Sequence, residues 1–315
     1  EMYKRLIAPL QPKLRQIDRL VIIPDDELNY LPFEALQDNN GSYLVEKFSI
    51  QYQYSTALWN TESREKRKRS SGVLAFAPFV TNGYNDSTGT RFSSLPASKE
   101  ETGDLKGEIL TDSLAVKNRF LSIANHYDIV HLATHAGVDN EMPLRSYIAF
   151  YPGANNTADN YKLYAQEIYD MDLDSTDLII LSACETGSGK LIKGEGLMSL
   201  SRAFAYAGCP NIITSLWKAE DKTTAFITQR LHHHLEKGTA KDQALQQAKQ
   251  DLLTSNEVDP RFKTPNYWAH LIFIGNYEPG HKKNNWWWVA IGIIIAAIVY
   301  KSLKPKNLPA KSRQV

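Results

Sequence analysis

The sequence predicts an α/β fold with a mostly parallel sheet and helices on both faces. Short runs rich in Ile, Leu and Val, such as YDIVHLATH and DLIILSAC, contain an Asp near the start and end at Gly-containing loops, which is typical of buried parallel strands. Helical patterns separate these runs, and strands that alternate with helices form a parallel sheet covered on both sides. With 315 residues, of which 43% are hydrophobic and 23% charged, the chain is long enough to bury a sizeable core.

The elements can be predicted in chain order. Residues 2–17 have helical spacing but contain Pro9 and Pro12, so we expect a kinked or broken helix. Residues 81–98 are rich in Gly, Ser, Thr and Asn and predict a mobile surface loop. Gly208 is expected to end the helix GEGLMSLSRAFAYAG. The other predicted strands are RLVIIPD, GVLAFAPF, SYIAFY, NIITSLW and YWAHLIFIG, and the other predicted helices are SKEETGDL, VKNRFLSIA, LYAQEIYDMDL and two segments that begin near Asp221 and Ala240.

Composition and charge narrow the classes of function. The chain has 36 basic and 35 acidic residues, a net charge of +1, so nucleic acid is not an expected partner. The basic run REKRKR is best explained as a solvated helix end or loop. The two cysteines, Cys184 and Cys209, exclude a disulfide framework and a Cys-based zinc finger, although one bridge between them stays formally open. Cys209 is expected to be a small buried thiol.

Two residues that can take part in catalysis stand at the ends of apolar runs. His135 ends the first run before HAG, and Cys184 ends the second before ETGSG. In an open parallel sheet, ligands bind beyond the carboxyl ends of the strands, which is where both side chains are expected. A His within hydrogen-bond reach can take the proton of a Cys or stabilise its thiolate. The pair therefore predicts a Cys nucleophile supported by a His.

Five ordered sequence blocks resemble a known family. HLATH, LSACETGSG, GEGLMSLSRAF, AGCPNIITSLWKAED and YWAHLIFIGNY are similar to the CHAT domain, a caspase-like and separase-like cysteine peptidase domain of clan CD, over roughly residues 15–277. The resemblance implies a caspase-like sheet, with His135 as general base or ion-pair partner and Cys184 as nucleophile. The 49 positions between the two residues are close to the separation of about 50 that is typical of caspases.

One position departs from the family pattern. The family usually has Gly directly after the catalytic His, whereas here Ala136 comes first and Gly137 follows. In caspase-like enzymes the backbone N–H groups of that Gly and of the Cys form the oxyanion hole, which stabilises the charge of the tetrahedral intermediate. Ala136 and Gly137 are therefore both candidates for this role, together with Cys184.

Further residues that follow Cys184 in the sequence are candidates for contact with the substrate. The loop after Cys184 is expected to approach the substrate, and the resemblance implies that the strand after the nucleophile's helix lines the substrate groove. The candidates are Glu185, Thr186, Thr214, Ser215, Leu216, Trp217 and Asp221. Trp217 is equally credible as a core aromatic. Asp221 is better explained as a helix cap than as a contact for a basic substrate residue.

His131 raises the alternative of a metal site. It lies four positions before His135, and on a single strand both side chains would project from the same face. Zinc-binding HxxxH pairs normally lie on a helix, and no third ligand is evident nearby. We therefore interpret His131 as a core or supporting residue and expect no metal or cofactor.

The C-terminal residues predict a membrane anchor. After a linker at residues 278–285, the apolar stretch at residues 286–303 is expected to form one transmembrane helix, with Trp at one interface and Lys at the other. Five basic residues follow residue 300 (Lys301, Lys304, Lys306, Lys311 and Arg313), and two, Lys282 and Lys283, precede the span. The tail at residues 304–315 is therefore expected in the cytoplasm and the catalytic domain on the extracytoplasmic side. The alternative is a core helix or an oligomer contact.

The expected organisation has two parts before the linker. Residues 1–70 are the N-terminal part of the CHAT domain and a candidate companion half, and residues 71–277 are the caspase-like catalytic part. Because the chain opens with Glu1, we expect the C-terminal piece of a longer bacterial protein, and the resemblance implies tetratricopeptide repeats upstream.

These predictions combine into a membrane-anchored cysteine endopeptidase that cleaves one chosen protein partner and is gated by the upstream repeats. A catalytically silent signalling or scaffold module is the first alternative. A metal hydrolase that uses His131 and His135 is the second.

Overall fold

The computed structural model describes residues 1–56, 72–86, 89–139, 141–153, 157–182, 184–185, 195–217 and 220–276. The chain divides into two units, Glu1–Glu278 and Pro279–Val315. The predicted linker, membrane helix and basic tail, and the basic run REKRKR, lie outside the described residues. Within the described part, no helix is both long enough and apolar enough to cross a bilayer.

The strands carry the labels used below. They are β1 (Arg19–Ile22), β2 (Ser49–Tyr52), β3 (Val73–Ala77), β4 (Tyr84–Asn85), β5 (Arg91–Phe92), β6 (Gly107–Thr111), β7 (Ile129–Leu132), β8 (His135–Gly137), β9 (Tyr147–Ala149), β10 (Lys162–Tyr164), β11 (Leu178–Leu181), β12 (Cys184–Glu185), β13 (Ile212–Ser215) and β14 (Leu271–Ile274).

The α-helices are α1 (Met2–Leu6), α2 (Ala97–Gly103), α3 (Lys117–Ile123), α4 (Ala158–Tyr161), α5 (Ala165–Tyr169), α6 (Glu195–Tyr206), α7 (Asp221–Glu236) and α8 (Lys241–Thr254). Short 3₁₀-helices span Ala8–Lys13, Asp26–Tyr30, Phe33–Ala35, Leu44–Glu46, Asp112–Leu114, Ala124–His126, Pro143–Arg145, Pro260–Lys263 and Pro265–Tyr267.

An eight-stranded sheet with the order β1-β2-β14-β13-β11-β7-β3-β6 forms the centre of the domain. All neighbouring pairs are parallel except β13 and β14, which are antiparallel. The predicted α/β fold with a mostly parallel sheet is therefore confirmed. A second, four-stranded sheet has the order β10-β9-β8-β12, and β4 pairs with β5 in a short hairpin.

Helices cover both faces of the central sheet. Along β11, Ile179 and Leu181 pack into a core with residues of α3, α5 and α6. Leu178 and Ile180 point the other way and pack into a core with residues of α7 and α8. Because successive side chains of a strand alternate between faces, a strand that is apolar throughout is buried on both sides.

The N-terminal residues join this same sheet. β1 and β2 come from the first 56 residues, and the predicted boundary near residue 70 falls outside the described residues. The predicted broken helix is observed as α1 followed by a 3₁₀-helix that contains Pro9 and Pro12. A buried network ties the segment to α8, because Glu34 accepts from the Tyr52 hydroxyl at 2.6 Å and from the Lys249 ammonium at 3.3 Å.

Two predicted elements differ from the structure. The predicted loop at residues 81–98 contains the β4–β5 hairpin, because Phe92 is fully buried and stacks on Phe79 at 5.5 Å between ring centroids. The predicted helix LYAQEIYDMDL begins as strand β10, whose pairing with β9 delays the start of α5 to Ala165. The predicted stop of α6 is confirmed, because Gly208 has a φ of +115°, a conformation that suits glycine.

Candidate active site

The candidate site lies where the chain passes from the central sheet to the four-stranded sheet. β7 ends at Leu132 and β8 begins at His135, so these are two strands rather than the single strand that the sequence predicts. The chain leaves the first sheet between these two strands, where the buried Thr134 hydroxyl donates to the Ala149 carbonyl of β9 at 2.6 Å. His131 and His135 consequently lie in different sheets.

The same transition occurs after β11. β11 ends at Leu181, and β12 begins at Cys184 in the four-stranded sheet. β8 and β12 are parallel neighbours, and their register pairs Cys184 with His135 and Glu185 with Ala136. Since paired strands lie about 4.8 Å apart, the two candidate catalytic residues are adjacent at the backbone level. The Cys184 side chain lies outside what the structure describes, so the His–Cys dyad stays a prediction.

The His135 imidazole is held on three sides. Its Nε2–H donates to the Ser93 carbonyl oxygen at 2.7 Å. The rings of Phe79 and Phe92 lie 5.1 and 5.6 Å from it between centroids, and the side chain is only 1% exposed. A carbonyl can only accept a hydrogen bond, so Nε2 carries a proton and Nδ1 of the neutral ring is the acceptor nitrogen.

The two oxyanion-hole candidates have different surroundings. Ala136 is fully buried, and its methyl group belongs to the core that includes Ile148. A Cβ atom at Gly137 would come within 2.4 Å of the Tyr147 ring, so this position requires glycine for packing. The Ala that departs from the family pattern is thus accommodated by the core, and both backbone N–H groups remain candidates.

The groove candidates lie around the end of β13. Thr214 and Ser215 are buried, and the Ser215 hydroxyl donates to the Trp217 carbonyl at 2.7 Å. The Leu216 N–H donates to the His270 carbonyl at 2.8 Å. The half-buried Trp217 packs against the core and donates its indole N–H to the Asn266 carbonyl at 3.0 Å, which favours its interpretation as a core aromatic. The side chain of Glu185 and the whole of Thr186 lie outside the described residues.

Asp221 is not the cap of its helix. The cap is Glu220, whose carboxylate accepts from the Thr223 N–H at 2.8 Å, and Asp221 is the first residue of α7. Asp221 instead borders a small cavity of about 20 Å³ at the carboxyl ends of β7 and β11. The cavity is also lined by Leu95, Ala97, Ser98, Glu101, Ala133, Ser182 and Thr224.

His131 belongs to a buried polar network. Its Nε2 lies 2.8 Å from a Glu101 carboxylate oxygen and 3.1 Å from the Ser182 hydroxyl, and its Nδ1 lies 3.0 Å from Nε2 of His232. Both ring nitrogens are therefore engaged by protein atoms. Burial and the neighbouring His131 lower the pKa of His232 well below its usual value, so His232 is neutral. Among the described residues, no group of three suitable side chains could hold a metal ion.

Cys209 is a buried free thiol, as the sequence predicts. Its S–H donates to the Asn211 carbonyl at 3.3 Å. Burial raises the pKa of this thiol to about 12, so it carries almost no thiolate at neutral pH. The bridge to Cys184 that the sequence left open is not formed.

Several residues of the site could not be identified from the sequence. Ser93 acts through its backbone carbonyl, which any residue type provides, so its identity carries no signal. Phe92 is one of two aromatic residues in the polar segment at residues 81–98, and no local pattern distinguishes it. Glu101 and His232 contact His131 but lie 30 and 101 positions from it in the sequence, too far apart for a local sequence pattern to indicate the contact.

Comparison with known proteins gives three kinds of similarity. A model of the CHAT domain matches residues 1–276. Human tetratricopeptide repeat protein 28 is 22% identical over 325 residues, which cover 87% of this chain and 13% of that protein. The chain therefore spans about an eighth of the length of this relative.

Solved structures show similarity in fold. The separase–securin complex of Saccharomyces cerevisiae matches with a TM-score of 0.50 and 12% identity over 81% of this chain and 15% of that one. The Arg-specific cysteine proteinase gingipain R matches with a TM-score of 0.49 and 10% identity over 85% of this chain and 66% of that one. Since the family model covers nearly all of the described residues, the chain belongs to the CHAT domain family.

Proposed function

We propose that this chain is a cysteine peptidase in which Cys184 is the nucleophile and His135 is the base. The observation that carries the proposal is the register of β8 and β12, which pairs the two residues directly. The hydrogen bond from His135 Nε2–H to Ser93 supports it, because it leaves Nδ1 of the neutral ring as the proton acceptor. Membership of the CHAT family supports the same assignment.

The proposed reaction has two halves. In the first, Cys184 passes its proton to Nδ1 of His135, and the sulfur attacks the carbonyl carbon of the peptide bond. The C–N bond breaks, the imidazolium returns its proton to the departing amine, and a thioester remains on Cys184. In the second half, His135 takes a proton from water and the resulting hydroxide attacks the thioester. The C–S bond breaks, and the Cys184 thiolate leaves and takes the proton back from the imidazolium.

The negative oxygen of each tetrahedral intermediate needs hydrogen-bond donors. The proposed donors are the backbone N–H of Cys184 and that of Ala136 or Gly137, because they lie at or just after the paired residues on two adjacent strands. Backbone donors on paired strands need no reorganisation as the charge develops.

We propose a protein substrate, one chosen partner rather than proteins in general. The similarity to tetratricopeptide repeat protein 28 supports a context in which repeats upstream of this domain gate its activity. Candidate contacts for the substrate are the loop after Cys184 and the end of β13, together with Asp221 at the border of the small cavity.

We also propose that residues 286–303 anchor the chain in a membrane, with the tail cytoplasmic and the catalytic domain extracytoplasmic. The support is the apolar stretch flanked by Trp and Lys. Carbonate extraction of membranes should leave the 315-residue chain in the pellet and release a chain that ends at residue 277. Release of both would refute the anchor.

Covalent labelling with peptidyl acyloxymethyl ketones, which vary in the residue next to the reactive group, tests the peptidase proposal. The 315-residue chain should be labelled, and Cys184→Ala and His135→Ala should abolish labelling. Cys209→Ala is the matched control and should be labelled like the wild type, because the Cys209 thiol is buried and protonated.

The outcomes separate the candidate functions. Labelling of wild type and of Cys209→Ala alone supports the peptidase. A wild type that folds but resists every ketone contradicts it and favours the silent scaffold module. Turnover that a chelator abolishes would favour the metal hydrolase.

A further inference from the structure

The polar segment between β3 and α2 reaches the candidate base. β5 ends at Phe92, whose ring contacts the His135 ring, and the next residue, Ser93, accepts its Nε2–H bond. Whatever fixes the β4–β5 hairpin therefore fixes the orientation of the imidazole. The Ser93 side chain itself is exposed, so the restraint comes from its neighbours. Phe92 before it is buried, and the N–H of the buried Leu95 after it donates to the Phe79 carbonyl at 2.7 Å.

A buried ion pair joins this hairpin to the four-stranded sheet. Asp86, which follows β4, lies 2.8 Å from the ammonium group of Lys162 at the start of β10. The two side chains are 0% and 7% exposed. The Tyr161 hydroxyl donates to the same carboxylate oxygen at 2.9 Å.

Asp86 also closes the turn of the hairpin. Its other carboxylate oxygen accepts from the Thr90 N–H at 2.7 Å, and its own N–H donates to the Thr90 carbonyl at 2.9 Å. One carboxylate thus connects the hairpin turn to Lys162 on the neighbouring sheet.

Lys162 makes a second kind of contact with the same hairpin. Its ammonium lies over the rings of Tyr147, Tyr161 and Phe92, at 4.7, 5.6 and 5.9 Å from their centroids. A cation over an aromatic face is attracted by the ring, more strongly when it is desolvated. The ring of Phe92 is therefore in contact with both the Lys162 ammonium and the His135 imidazole.

We propose that Lys162 and Asp86 are positioning residues that hold His135 in the orientation in which Nδ1 receives the proton of Cys184. The inference rests on the proposed function and deepens it. Lys162 fixes the hairpin through Asp86 and Phe92, and the hairpin fixes the imidazole through Ser93. Neither residue touches the reacting atoms.

A buried ion pair suits this role for a physical reason. Separating the partners would leave an uncompensated buried charge, which is strongly unfavourable, so the pair tolerates little movement. The other charged or titratable groups near the ion pair also have hydrogen-bond partners. Tyr161 stays protonated because burial and the bond to Asp86 raise its pKa, and the Lys117 ammonium donates to the Lys162 carbonyl at 2.9 Å and to Glu167 at 2.7 Å.

Two variants of the 315-residue chain test the proposal. Lys162→Met removes the cation and keeps the length of the side chain. The double variant Asp86→Asn/Lys162→Met removes both charges and leaves no uncompensated one, so it guards against failure of the single variant to fold. The matched control is Lys241→Met, which removes another buried ion pair, the one with Asp177 at 2.7 Å. Asp177 directly precedes β11, whereas the candidate site lies beyond the other end of that strand.

Two measurements distinguish positioning from stability alone. One is the rate constant of labelling by the peptidyl ketones per folded molecule. The other is the ¹⁵N NMR signal of the His135 ring, identified by its loss in His135→Gln, which reports which nitrogen carries the proton. The wild type should show a protonated Nε2 and an unprotonated Nδ1.

The proposal predicts that both test variants are labelled about 10- to 100-fold more slowly and lose the single ring tautomer, because a small misplacement of a catalytic group is costly. The control should stay within about twofold of the wild type, since its site is distant. Test variants that match the control in rate and tautomer would overturn the proposal. If the wild type is not labelled at all, the peptidase proposal fails, and the ring signal alone decides whether the pair positions His135.

Discussion

At the scale of single residues, the candidate base His135 is held by the Ser93 carbonyl, to which its Nε2–H donates at 2.7 Å, and by the rings of Phe79 and Phe92. His135 and Cys184 could be predicted because each closes an apolar run and belongs to a recognisable block. The hydrogen-bond acceptor for His135 could not be predicted, because it is a backbone carbonyl, which every residue type has. The sequence favours Asp221 as the cap of α7, whereas Glu220 accepts the hydrogen bond from the Thr223 N–H, because a sequence pattern places a helix boundary only to within one or two residues.

Gly137 gives a prediction at this scale. A methyl group there would lie within 2.4 Å of the Tyr147 ring, which cannot retreat easily because the Lys162 ammonium lies 4.7 Å from its centroid. Gly137→Ala should therefore destabilise the protein by about 1–3 kcal/mol, the usual cost of overpacking.

Urea unfolding followed by tryptophan fluorescence measures this effect. Gly153→Ala is the matched control, because a Cβ there meets no atom within 4 Å. Equal stability of the two variants would show that the Tyr147 ring does not restrict residue 137.

At the scale of elements, the strands could be predicted but not their division between two sheets. The run from Ile129 to His135 looks continuous, because nothing in the sequence signals that the Thr134 hydroxyl bonds to the Ala149 carbonyl of a later strand. This division determines the site, since His135 and Cys184 begin strands of the smaller sheet rather than ending strands of the larger one.

The β4–β5 hairpin shows the same limit. The composition of residues 81–98 indicates a loop, and the pairs that order it lie far along the chain. Asp86 meets Lys162 across 76 positions. An element that owes its order to such distant partners cannot be recognised from local pattern.

At the scale of the whole molecule, the alternation of strands and helices was sufficient to predict a parallel sheet with two covered faces. The strand order was not predictable, because it depends on pairings such as β14 with β2 at opposite ends of the chain. The N-terminal strands β1 and β2 lie in the same eight-stranded sheet as β7 and β11, the strands that precede His135 and Cys184.

Acid should destabilise this fold through buried histidines. Burial, and next the charge of Lys249, lower the pKa of His270 to about 3 from an ordinary value of 6.5. The unfolded chain binds a proton at this residue below pH 6.5 and the folded chain does not, so stability falls progressively as the pH decreases from 6.5 towards 3. His270→Gln should reduce this slope by about 1 kcal/mol per pH unit.

Urea unfolding at pH 7, 6, 5 and 4 checks this dependence. The control is His126→Gln, whose side chain is exposed, and it should leave the slope nearly unchanged. Parallel pH profiles for wild type and His270→Gln would mean that His270 is not buried as a neutral ring.

The adjacency of residues 135 and 184 can be measured directly by cross-linking. In a Cys209→Ala background, His135→Cys should form a disulfide with Cys184 under mild oxidation, because residues paired on neighbouring strands have Cα atoms within the range of about 4.4–6.8 Å that a disulfide spans. Ala136→Cys, whose strand partner is Glu185, is the control and should not cross-link. Mass spectrometry of the digested protein should find the bridge in His135→Cys alone. Free thiols at both positions after oxidation would contradict the paired arrangement on which the proposed peptidase depends.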